Sequence, residues 1–116
     1  MMRNNLSFFV LGVVTGVVAF RLFSEIPQKH TIFYDGSTFN PGLLVIGLGD
    51  SVTVSNNSIR VMEVAVGKHE DHKNLKGFEE KIINSGGAYS FVSEERGVFD
   101  LHDHLHPKKL GVLVVD

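Results

Sequence analysis

The sequence predicts an all-β fold: an antiparallel Greek-key β-sandwich over residues 31–116, preceded by one N-terminal transmembrane helix. Three observations carry this expectation. Apolar and polar residues alternate with period two through most of the chain after residue 30, as half-buried strands require. Turn signals interrupt that alternation every 8–12 residues, the spacing of a sandwich (about 8–12 residues). The first 25 residues are a different material, dominated by one apolar run in which Arg21 is the only charge. A chain of 116 residues suits one compact domain. At 43% hydrophobic residues it is not a disordered composition. With a net charge of −2 and no basic stripe to neutralise phosphates, no nucleic acid is expected as a partner.

Residues 1–5 read as a cytoplasmic tail and residues 6–23, "LSFFVLGVVTGVVAFRLF", as the membrane span. As a helix the span would be about 27 Å long, close to a hydrocarbon core of about 30 Å. Arg21 lies near enough to its end to reach the headgroups. "RLFSEIPQKH" offers no small-x-small cleavage site, so the segment reads as an uncleaved signal anchor rather than a leader. Gly12 and Gly16 form a single G-x-x-x-G, which alone does not establish dimerisation. The short N-terminal tail places the N-terminus inside and the rest outside, in the periplasm or at the cell surface. The chain has no cysteine, so in that oxidising compartment its fold relies on its apolar core.

Residues 24–30 read as a linker. "HTIFYD" is the first expected strand, stopped by "GS". "LLVIGL" and "SVTVSN" follow, separated by the turn at Gly49-Asp50, and "NNS" turns the chain into "RVMEVAVG". "KIINS" is short and ends at Gly86-Gly87. "AYSFVS" then sets Tyr89 and Phe91 on one face, and "GVFDLHD" and "GVLVVD" close the set. Only Lys68 to Lys81, "KHEDHKNLKGFEEK", lacks strand character. It is expected as a helical turn or a long solvated loop, with Phe78 anchoring it to the sandwich.

Two stretches carry a family resemblance: "FNPGLLVIGLGDSVTVSN" and "GVFDLHDHLHPKKLGVLVVD". Together they resemble the cupredoxins, the blue-copper sandwich family of plastocyanin, azurin and amicyanin. Phe39, Pro41, Gly49, Asp50, Val52, Asn56, Gly97, His106, Gly111 and Val114 fall where the family pattern places them. The departures are as informative. The copper-binding cysteine falls on Asp103, the axial methionine near Lys109, and the first histidine has no counterpart, Arg60 being the nearest residue. Of the four ligands that the resemblance implies, His106 alone remains. A blue centre depends on a copper–thiolate bond, so blue-copper electron transfer is not expected. "HEDH" and "HDHLHP" are also similar to the paired histidine motifs of small membrane-anchored bacterial cupredoxin-like proteins that lack the cysteine.

Strand parity separates the histidines. In "GVFDLHDHL", Phe99, Leu101 and Asp103 should face the core, leaving Val98, Asp100, His102 and His104 on the outer face. His69 and His72, three apart, would align on one helical turn. The expected metal ligands are therefore His69, His72, His102 and His104, a set suited to copper(II), with zinc as the second ion. A second candidate set occupies the family's own pocket: Asp103 and His106, with Glu63 as a third ligand. His30 reads as an ordinary linker residue, and Asp50 as a turn residue.

The function these residues point to is metal handling by a membrane-anchored extracytoplasmic domain: sequestering, buffering or passing an ion to a membrane or periplasmic protein partner. Copper is preferred because imidazole-rich sites bind Cu(II) more tightly than its first-row neighbours. Two alternatives are a metal-free interaction or accessory module and a non-blue copper electron-transfer protein. An enzyme is not expected, since the chain has no nucleophile–base signal, phosphate loop or second domain. Histidine ligands bind only when neutral, so affinity should weaken as pH falls through about 6.5.

Overall fold

The computed structural model describes residues 26–68 and 71–116. Within them the chain forms ten strands and no helix: β1 (Lys29–Tyr34), β2 (Phe39–Asn40), β3 (Leu43–Ile46), β4 (Ser51–Asn56), β5 (Met62–Lys68), β6 (Asp71–His72), β7 (Lys81–Ile83), β8 (Ala88–Val92), β9 (Gly97–Asp103) and β10 (His106–Val115). They build a two-sheet sandwich. One sheet has the order β3-β10-β9-β5-β6, with β7 also paired to β5; the other has the order β2-β1-β4-β8. No helix of the described residues is long and apolar enough to cross a membrane; the expected span at residues 6–23 lies outside them.

The sandwich is mixed rather than purely antiparallel. After the β1–β2 hairpin the chain crosses to the other sheet as β3, then returns as β4. It therefore runs beside β1 in parallel, Lys29 opposite Ser51 through Tyr34 opposite Asn56. The closing strand β10 is parallel to β3 in the same way, Val112 opposite Leu43 through Val115 opposite Ile46. The remaining ladders are antiparallel.

The alternation read from the sequence is clean in β4, whose burial swings at every residue from Ser51 to Asn56. Ile32, Tyr34, Val52, Val54 and Phe91 face inward from one sheet; Met62, Val64, Val66, Phe99, Leu101, Leu113 and Val115 face them from the other. Each large aliphatic side chain buried this way contributes about 1.5–3 kcal/mol. Gly111 faces Phe39 closely: a Cβ built there would lie 3.3 Å from the Phe39 side chain. The family pattern's glycine at this position thus has a packing reason.

Two connections depart from expectation. Strand β1 begins at Lys29, within the stretch read as linker. His30 is part of the fold, with Nε2 2.9 Å from Asp50 Oδ2. Asp50 is more than a turn residue: it is buried and also accepts the Gln28 and Gly47 N–H groups at 3.0 and 2.8 Å. The charged segment after β5 is not simply solvated. It contributes β6 beside Gly67 and Lys68, buries Leu75 in the core, and packs Phe78 against Phe91 with ring centroids 5.0 Å apart.

Candidate metal site

The site begins with β9, the strand between β10 and β5. Its inner face places Phe99 and Leu101 in the core, and Asp103 follows them inward. Val98 and His102 therefore project from the other face, as parity requires. Their surroundings differ. Val98 is 70% exposed, whereas His102 is 0% exposed, because the β5–β6 edge and His72 cover it. Ala65 stands opposite His102 and Gly67 opposite His72. The outer face of β5 thus carries its two smallest residues where imidazoles need room.

His104 lies beyond the strand, in the turn between Asp103 and His106. A register shift between His102 and Asp103 accompanies that turn, and the His104 N–H donates to the Glu63 carbonyl at 2.7 Å. The turn still delivers its ring to the same side as His102. Ring centroids are 5.0 Å apart for His72 and His102, 4.8 Å for His72 and His104, and 5.8 Å for His102 and His104. One nitrogen from each ring lies within 4.8 Å of the others. A tetrahedral ion with bonds of about 2.05 Å would set these nitrogens about 3.4 Å apart, so the widest pair would close by up to about 1.4 Å to share one.

The His102 and His72 rings are held from behind. His102 Nδ1 lies 2.7 Å from the Gly67 carbonyl oxygen. A carbonyl only accepts, so Nδ1 carries the proton and Nε2 the lone pair. His72 Nδ1 donates in the same manner to the Glu80 carboxylate, leaving its buried Nε2 without a hydrogen-bond partner among the described residues. Backing of this kind is what metal-ligating histidines ordinarily have.

Of the four expected ligands, the structure brings His72, His102 and His104 together; His69 lies outside the described residues. The second set, Asp103, His106 and Glu63, is not a ligand cluster among the described residues. Both Asp103 oxygens are committed instead. Oδ1 accepts the Glu63 and Leu105 N–H groups at 3.0 and 3.1 Å; Oδ2 accepts the Tyr34 hydroxyl and His106 Nδ1, each at 2.8 Å. Glu63 takes part through its backbone alone. Burial pushes the Asp103 carboxyl up, but these four donors outweigh it and hold it below the ordinary range. The Tyr34 phenol is pushed well above its ordinary range, by burial first and then by the neighbouring carboxylate. Asp103 is thus a satisfied carboxylate.

Sequence reasoning missed Glu80 and Gly67. Glu80 is hidden in a charged run, and its approach to His72 spans eight residues of irregular chain. Gly67 had a faint signal in the small residues of "VAVG".

The fold and this arrangement define an all-β sandwich of the cupredoxin type with a histidine cluster on the outer face of one sheet. No family model matches the chain, and no curated protein matches it. Among solved structures it is similar to a purple cupredoxin from Nitrosopumilus maritimus, with 22% identity and a TM-score of 0.65 over 75% of this chain and 99% of that one. It is similar also to the reduced state of an amicyanin variant, with 20% identity and a TM-score of 0.64 over 91% of this chain and 88% of that one. The resemblance read from the sequence is thus carried by the whole sandwich.

Proposed function

We propose that this chain is a membrane-anchored, extracytoplasmic copper-binding protein that handles the ion rather than transferring electrons through a blue centre. His72, His102 and His104 are its ligands, with His69 assigned as the fourth. The observation that carries this reading is the convergence of three imidazoles, two of them oriented from behind by Glu80 and Gly67. The comparisons support it in kind: one of the similar amicyanin variants is a Cu(I) form. Copper is chosen over zinc by the affinity order of imidazole sites, and the anchor is the apolar run at residues 6–23. The role is sequestering, buffering or delivering the ion to a protein partner on the outer side of the membrane.

The test is a thermal melt of the full chain in mild detergent, stripped with chelator and titrated with Cu(II) and Zn(II). An ion at a hundredfold excess over its dissociation constant stabilises by about 2.7 kcal/mol. For a domain of this size the melting temperature should rise about 10–20 °C. The rise should be larger for copper and vanish when His102 and His104 become alanine. No rise with either ion would favour a metal-free interaction module. The aliphatic outer face formed by Leu43 and Val45 of β3 and Val98 of β9, each more than half exposed, is what supports that second reading.

A further inference from the structure

The His102 and His72 rings of the site are not backed alike, and the difference is one of charge. His102 is backed by a neutral carbonyl and His72 by a carboxylate. Three neutral imidazoles bring no charge to an ion, and His102 beside it is fully buried. A divalent ion would leave two positive charges in a partly desolvated place, which is costly without compensation. Glu80 supplies one negative charge across the His72 ring. Its side chain is 41% exposed, and its field reaches the site through the imidazole.

From this geometry we propose that Glu80 sets the charge preference of the site, favouring a divalent over a monovalent ion. The inference rests on the histidine site described above. Glu80 is a positioning residue, since its hydrogen bond to His72 Nδ1 directs Nε2 to the ion. It also acts on the ion at a distance as a charge. The two roles separate by substitution. Glu80→Gln keeps an oxygen that accepts from His72 and removes only the charge; Glu80→Ala removes both.

Coulomb energy is linear in the charge of the ion, so a loss felt by a divalent ion is halved in energy for a monovalent one. Loss of a backing partner of this kind typically costs about 10–100-fold in metal affinity. Glu80→Gln keeps the partner and removes the charge, so it should weaken Zn(II) by up to about 10-fold, and Ag(I) by only about the square root of the Zn(II) factor. Glu80→Ala should weaken both ions further, because the ring is then unguided. Added salt should shrink the Zn(II) effect in the parent chain, as it screens a partly exposed charge.

The experiment is a competition titration of the full chain in detergent and chloride-free buffer, with Zn(II) and Ag(I) as probes, for the parent, Glu80→Gln, Glu80→Ala and His102→Ala. Melts of the metal-free forms verify that the exposed substitutions leave the fold intact. Unequal losses in Glu80→Gln, greater for Zn(II), support the proposal. Equal losses for the two ions, or none, while His102→Ala abolishes binding, overturn this inference and leave the histidine site standing. Full retention of both ions by His102→Ala overturns the site and the inference together.

Discussion

His102 donates its Nδ1–H to the carbonyl of Gly67 at 2.7 Å, and Gly67 turns that carbonyl toward the ring with φ +95°. This conformation belongs to the left-handed region that side chains resist. A backbone feature on one strand thereby fixes the tautomer of a histidine on its neighbour. Gly67→Ala should cost about 1–2 kcal/mol of stability. Metal affinity should also fall by about 10-fold, because the carbonyl loses its aim. Paired melts and Cu(II) titrations of the variant check this; intact affinity in a destabilised variant would mean that the carbonyl does not orient the ring.

The Asp103 network lies on the opposite face of β9 from His102. Tyr34→Phe removes one donor from a buried carboxylate, and such bonds to charged groups are worth about 1.5–3 kcal/mol. A melting temperature roughly 10 °C lower is expected, with Cu(II) affinity within about twofold of the parent. A tenfold change in affinity would place the ion beside Asp103 and His106 instead.

Asp50 gives the fold an acid-sensitive anchor. Burial pushes its carboxyl up, but the donors from Gln28, His30 and Gly47 outweigh burial and hold it below its ordinary value of 3.8. A depressed folded pKa means that the stabilisation is complete above the unfolded value and is lost as pH falls through the folded one. Asp50→Asn should lower stability by about 2 kcal/mol at neutral pH by leaving a buried donor unmet. Its deficit relative to the parent should narrow below about pH 4. Melts at pH 7, 5 and 3 measure it, and a deficit that stays constant across them would show that the Asp50 charge contributes nothing.

The Cu(II) adduct should be pale. The chain has no cysteine, and an intense copper colour of the blue type requires a thiolate. Visible absorption should be limited to weak ligand-field bands, altered in His72→Ala, His102→Ala and His104→Ala. A strong charge-transfer band would contradict an all-imidazole site.

The strands were legible where one sheet face meets the core, as in β4 and β9, because period two records burial directly. The side of β9 that carries His102 was legible for the same reason. Its burial was not: the cover comes from a charged segment whose contacts are long-range and leave no periodic trace. The parallel ladders were likewise invisible, since residues 30–56 look the same whether the chain turns back or crosses between sheets. Asp103 followed its inward parity, but only its four donors show that its carboxylate is fully occupied by hydrogen bonds.

His102 and His72 also differ in what they ride on. The first belongs to a strand paired on both sides, β5 and β10; the second belongs to a two-residue strand at the sheet edge. Edges open more readily than interior ladders. In the proposed site, closure onto an ion would fall to the His72 side, against a His102 held by two ladders. Residence time would then be governed by how often the edge lifts, so a partner that pairs with β6 would gain control of release without touching the ion.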